Sequence, residues 1–262
     1  SFITDTNTYF LTLSPETINL RYNQVNPDYT NNTLTPLPYY IHEEKVVYTH
    51  TYFKNVDFDV RYSHFEPSEG FGSGPLQTSN TKINTSGYVN AGPEPILEFR
   101  TGQNSRASLL EIRWNGVLKD KKSSNPKLTT QHRFVLNKNE LLTSNTLNLN
   151  NVNTSDDRHI IANVTVKYPR IFDFGDKPAY EFKLAASSGK IFLDIASFKT
   201  ENKNVILYDV VNHFRYNAKT ESGKVTAIVN GTANEATYVL ANSGSGTKNV
   251  ALEKGTRYII MA

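Results

Sequence analysis

At 262 residues, with 38% hydrophobic and 11% aromatic residues, the chain can bury one large core or one large and one small, and its composition is that of a folded protein. A net charge of +3 over 20% charged residues offers no phosphate-tracking surface. The absence of Cys excludes disulfides, thiolate metal sites and a Cys nucleophile within these residues, and no stretch approaches the ~20 apolar residues of a membrane-spanning helix.

Tyr (15) and Phe (14) supply the aromatics, and Thr, Val, Ser and Asn fill much of the rest, a balance that suits strands and turns. Val46, Tyr48, His50 and Tyr52 alternate with Val47, Thr49, Thr51 and Phe53, which predicts a strand covered in part on both faces. Residues 64–91 are rich in Gly, Ser and Asn and read as a long loop, of the kind that carries function. A strand over 96–100 is entered through Gly92-Pro93-Glu94-Pro95, and a turn is expected from Arg100 to Arg106. Leu110, Ile112 and Trp114 point one way from the next strand while Glu111 and Arg113 point the other, and Asn115-Gly116 ends it as a tight turn. Sharing its face with Leu110 and Ile112, Trp114 reads as core and not as a sugar-stacking platform. Lys119, Lys121, Lys122 and Lys127, broken by Ser123-Ser124-Asn125-Pro126, read as a solvated hairpin tip, not a nucleic-acid contact.

Residues 139–142 predict one helical turn inside a polar connection over 139–157. Ile160, Ala162, Val164, Val166 and Tyr168 are expected on one face of a long strand that ends at Pro169. Further strands over 180–184, 190–195, 205–210, 224–229 and 236–240 are separated by Ser187-Ser188-Gly189, Ser222-Gly223 and Asn230-Gly231. Helical periodicity is nearly absent, so the fold class is all-β: an antiparallel β-sandwich of jelly-roll or galactose-binding-like type, with a small second β subdomain. The division expected is an N-terminal extended segment over 1–40, a sandwich over 41–200 and a small β subdomain over 201–262.

No catalytic set is recognisable by spacing, so the chain is read as non-enzymatic. His42, Glu44 and His50 have the even spacing of one strand face, but the two histidines would lie about 26 Å apart, too far to share a metal. No cofactor is expected; Asp156-Asp157 and Asp173-Phe174-Gly175-Asp176 are the only candidates for calcium oxygens, with local satisfaction of backbone N–H groups the plainer reading. Candidate binding residues are Phe65, Glu66, Glu69 and Phe71 in the long loop, which mix apolar anchors with charge, and Arg100 and Arg106, which add cations for a carboxylate or phosphate; the plainer alternative is that the two arginines pair with Glu66 or Glu69 and only pin the loop.

Several segments, taken in order, carry a resemblance. They are Thr4-Asp5-Thr6-Asn7-Thr8-Tyr9-Phe10-Leu11, the Gly-rich Ser68-Glu69-Gly70-Phe71-Gly72-Ser73, and Ser105-Arg106-Ala107-Ser108 leading into Asn115-Gly116. After them come Ile160 through Arg170, Val205-Ile206-Leu207-Tyr208-Asp209-Val210-Val211, and the closing Thr256-Arg257-Tyr258-Ile259-Ile260-Met261-Ala262. Together they resemble the region preceding the catalytic domain in gingipain-type cysteine peptidases that serve as the type IX secretion system sortase of Bacteroidota. The Gly-rich loop departs from the family's Trp-x-Gly-Glu pattern, since it has no Trp. The family's catalytic Cys and His are expected beyond residue 262, so no catalytic role carries over. The resemblance implies an exported protein of the cell surface or outer membrane. It implies a non-catalytic accessory region that presents secreted protein substrates or docks onto other secretion components. A carbohydrate-binding or adhesion sandwich is the competing reading, with a glycan as partner.

Overall fold

The computed structural model describes residues 22–49, 51–53, 70–103, 108–125, 129–153, 157–221 and 223–242. Within them the strands are, in chain order, β1 (Asn23–Val25), β2 (Tyr40–Val47), β3 (Thr51–Phe53), β4 (Gly70–Gly72), β5 (Thr78–Asn84), β6 (Ile96–Gln103) and β7 (Ser108–Trp114). They continue with β8 (Val117–Ser124), β9 (Thr129–Val135), β10 (Ser144–Asn151), β11 (His159–Arg170), β12 (Asp173–Lys177) and β13 (Ala179–Leu184). The last six are β14 (Lys190–Phe198), β15 (Val205–Asp209), β16 (Phe214–Asn217), β17 (Lys219–Glu221), β18 (Lys224–Asn230) and β19 (Ala236–Asn242). One 3-10 turn, Lys138–Glu140, interrupts them. The fold is therefore an all-β sandwich.

A nine-stranded sheet in the order β1-β16-β15-β19-β13-β2-β11-β6-β9 forms one continuous layer. Two four-stranded sheets, β5-β10-β7-β8 and β12-β14-β18-β17, make the opposing layer. The first core joins Leu97, Phe99, Ile161, Val164 and Val166 of the large sheet to Ile83, Ile112, Trp114, Leu147 and Leu149 of the first small sheet. The second joins Tyr40, Phe182, Leu207, Tyr238 and Leu240 to Leu193, Ile195, Val225 and Val229. Both cores lie on one face of the large sheet. Side chains two residues apart share a face, and in the inward row of β2 Tyr40 belongs to the second core while Val46 packs on the first. The second core takes strands from before and after residue 200, since β14 pairs with β18 and β13 with β19.

The outer face of the large sheet is polar and is crossed by a row of alternating charges. Arg133 pairs with Glu98 (3.3 Å), Glu98 with Lys167 (3.2 Å), Lys167 with Glu43 (3.9 Å), Glu43 with Lys183 (3.6 Å) and Lys183 with Glu235 (3.3 Å). Burial would raise the Glu43 carboxyl, yet Lys45, Lys183 and Lys167 outweigh it and hold it below the usual range. Each exposed pair contributes little, but the row spans the join between β13 and β2, where the ladder is only Lys183 opposite Ile41.

Leu110, Ile112, Trp114, Ile160, Val164, Val166, Phe182 and Leu184, on strands expected from the sequence, are all at most 5% exposed. Ile160 is buried differently from the others. A bulge between Ile161 and Asn163 shifts the register, so His159 and Ile161 face the interior together with Val164, Val166 and Tyr168. Ile160 turns outward, where the backbone at Gly72 covers it so closely that a Cβ there would meet its Cγ2 at 2.3 Å. Val164 is fully buried, and Val164→Ala should destabilise the chain by about 1–3 kcal/mol from lost transfer energy and the cavity left behind. Chemical denaturation measures it; an unchanged midpoint would remove Val164 from the core.

Several expectations are corrected. The stretch 64–91 holds two strands, β4 and β5, and the connection 139–157 holds the central strand β10. The run expected over 46–53 is two strands: β2 ends at Val47, and β3 pairs instead with β4. Of the lysine run, Lys119, Lys121 and Lys122 lie in strand β8, with Lys119 paired to Glu140 and Lys121 to Glu111 at 3.1 Å, and Lys127 lies outside the described residues. The hairpin tip is Asn115-Gly116, where φ values of 49° and 82° place both residues in the left-handed region that a two-residue turn requires.

Candidate recognition surface

Phe65, Glu66, Glu69 and Arg106 lie outside the described residues, as do His50 and Asp156. Phe71 and Arg100 are described, and both stand beside the first residues of β11. Phe71 is 42% exposed on β4, and the chain after it runs along β11, with Ser73 N donating to Ile161 O (2.9 Å) and Leu76 bridging His159. On the other side of β11, Arg100 is paired with Asn163. Arg100 is not in a turn: β6 continues to Gln103, and the guanidinium points outward with Nε donating to Gln131 Oε1 at 3.3 Å.

Beneath this surface the interior end of the first core is polar. His159 is fully buried between Ser79, whose Oγ lies 2.9 Å from Nε2, and Asn151, whose Nδ2 lies 3.2 Å from Nδ1. The trio has the outline of a Ser–His–Asn hydrolytic set, but Ser79 is 7% and His159 0% exposed, so no substrate carbonyl can reach the hydroxyl. Burial also pushes the imidazole down to about 4, which makes it a poor general base. His132 behaves alike: Thr101 Oγ1 lies 2.8 Å from its Nε2, Phe99 stacks on the ring at 4.5 Å, and burial, with Lys122 adding to it, lowers it to about 4. Sequence reasoning gave neither His132 nor His159 a role. The usable signal was their place in alternating strands.

A second polar group lies on β2, β11 and β13 of the large sheet. Tyr40 and Tyr180 share a hydroxyl hydrogen bond of 2.8 Å, and burial drives the Tyr40 phenol far upward. His42 stands 3.3 Å from Glu44 Oε2 through Nε2 and 3.4 Å from Tyr180 Oη through Nδ1, and Arg170 Nη1 also lies 3.4 Å from His42 Nε2. Arg170 Nη1 lies 3.4 Å from Tyr180 Oη. Asp173 Oδ1 accepts from Gly175 N at 3.0 Å, so that acidic turn satisfies itself. No group of three His, Asp or Glu side chains among the described residues is placed to hold a metal ion. No helix among them is long and apolar enough to cross a membrane.

No protein-family model matches the chain, and no curated protein matches it. Among solved structures, dimeric latent PorU from Porphyromonas gingivalis superposes with a TM-score of 0.53 at 10% identity, over 78% of this chain and 20% of that one. A cycloisomaltooligosaccharide glucanotransferase of Paenibacillus sp., complexed with cycloisomaltoheptaose, aligns at 9% identity over 67% of this chain and 45% of that one, but its TM-score of 0.19 carries no argument. The chain thus spans about a fifth of the PorU chain, and at 10% identity the likeness is one of fold alone.

Proposed function

We propose that the chain is a non-catalytic accessory module of a cell-surface, gingipain-type peptidase of the type IX secretion system, and that it docks secreted protein substrates or other secretion components. The observation that carries this reading is the fold likeness to part of latent PorU across 78% of the chain. The geometry supports a protein partner over a small one. Two recesses lined by described residues hold about 240 and 140 Å³, below the ~300 Å³ at which small-molecule pockets begin. The single indole, Trp114, is 1% exposed and cannot stack on a sugar.

The purified chain, immobilised and offered Bacteroidota outer-membrane extract beside a glycan array, should capture a secretion component or a secreted protein saturably and bind no glycan. Glycan binding without protein capture would overturn the proposal in favour of a carbohydrate module. Arg100→Ala combined with Arg106→Ala localises the contact. Arg100 is exposed and makes a single neutral hydrogen bond, so its loss should shift stability by no more than ~0.5 kcal/mol. The expected outcome is a normal melting temperature with capture lost; lost stability with capture intact would show that the arginines only pin the loop.

A further inference from the structure

We propose that the polar end of the first core binds a calcium-type divalent cation, with the Asp157 carboxylate as its charged ligand and Asn151 Oδ1 and Ser108 Oγ as neutral oxygen ligands. Asp157, Ser108 and Asn151 are each 2% exposed, and Gln103 is 3% exposed. Among the buried side-chain atoms that lack a hydrogen-bond partner within the described residues, five belong here: Asp157 Oδ1 and Oδ2, Asn151 Oδ1, Ser108 Oγ and Gln103 Nε2. Buried polar atoms are nearly always paired, so their concentration at one place points to a missing ligand.

The strands bring these groups together. Gln103 is the cross-strand partner of His159, and Asp157 precedes His159 by two residues. Asn151 reaches His159 from the facing sheet at 3.2 Å. Its own cross-strand partner is Leu110, two residues along the inward row of β7 from Ser108.

The charge decides between a cation and a water cluster. Water would satisfy the amides and the hydroxyl, but a buried carboxylate also needs a counter-charge. Neither carboxylate oxygen of Asp157 has a hydrogen-bond partner among the described residues. The available donors are all hard oxygens, with both nitrogens of His159 already engaged by Ser79 and Asn151, which favours calcium over zinc or copper. Exchanging the Gln103 amide nitrogen and oxygen would add a further oxygen ligand. A single carboxylate implies weak binding, with Kd on the order of 10⁻⁴–10⁻³ M.

The test is thermal melting of the chain after dialysis against a chelator, with calcium chloride then titrated into the millimolar range. Wild type should melt about 3–6 °C higher at ten times Kd. Asp157→Asn should abolish that shift and, in chelator, melt no lower than wild type, because the amide removes the unpaired charge. Ser108→Ala should keep the shift with weaker affinity. No calcium shift in wild type, or a shift retained by Asp157→Asn, would overturn the proposal. So would an Asp157→Asn protein that is less stable or unfolded in chelator, since the carboxylate would then be paired within the chain.

Discussion

Trp114→Ala should cost the chain about 3–5 kcal/mol, the largest loss expected from any single core truncation. The indole is 1% exposed in the middle of the first core, and its Nε1 donates to Glu140 O at 2.9 Å. Its truncation removes a large apolar surface from a region that cannot collapse. The strand is pinned by the Asn115-Gly116 turn on one side and by Leu147 of β10, opposite Trp114, on the other. The lost hydrogen bond adds little, because Asn115 Nδ2 still donates to the same Glu140 carbonyl at 3.0 Å. Denaturant titration measures the change, and a loss below ~1 kcal/mol would show that the indole is not a core element.

The second large effect is acid destabilisation through His132 and His159. Burial holds both near pKa 4 in the folded chain, against about 6.5 in the unfolded one. The unfolded chain therefore takes up protons first as pH falls. Stability is whole above pH ~6.5, declines through the window down to about 4, and levels off below it. A shift of that size corresponds to roughly 3 kcal/mol for each histidine. The carboxylates held low by their partners, Glu43 and Glu140 among them, act in the same direction but only below pH ~4.5. Replacing both histidines with Gln should flatten the curve between pH 6.5 and 4.5. A wild-type unfolding free energy that is level across that interval would contradict the assignment.

The strands that were legible in the sequence carry aliphatic or aromatic residues at most alternate positions, as β7, β13, β14, β18 and β19 do. Those missed have polar residues facing inward. β5 turns Ser79 and Thr81 into the sandwich, and β10 turns Asn145 and Asn151 inward on either side of Leu147 and Leu149. Asn145 and Thr81 are tolerated because the fold satisfies them: Asn145 Nδ2 donates to Leu142 O (2.7 Å) and Thr85 Oγ1 (2.9 Å), and Tyr48 Oη lies 3.1 Å from Thr81 Oγ1. No alternation pattern announces those partners in advance. The bulge at 161–163 was equally silent, since one extra residue reverses the faces without changing composition. Of the candidate binding residues, Phe71 and Arg100 are placed beside β11, and the Asp157 end of the core emerges only once burial is known.

The continuous nine-stranded sheet is the central claim, because it joins both cores into one rigid platform for the loops. Native-state hydrogen exchange resolved along the chain tests it most directly. The slowest amides should fall in β11, β6 and β2 of one half and in β13 and β19 of the other, with 179–184 as protected as 159–170. Rapid exchange across 179–184 and 236–242 while 159–170 stays protected would contradict the shared sheet.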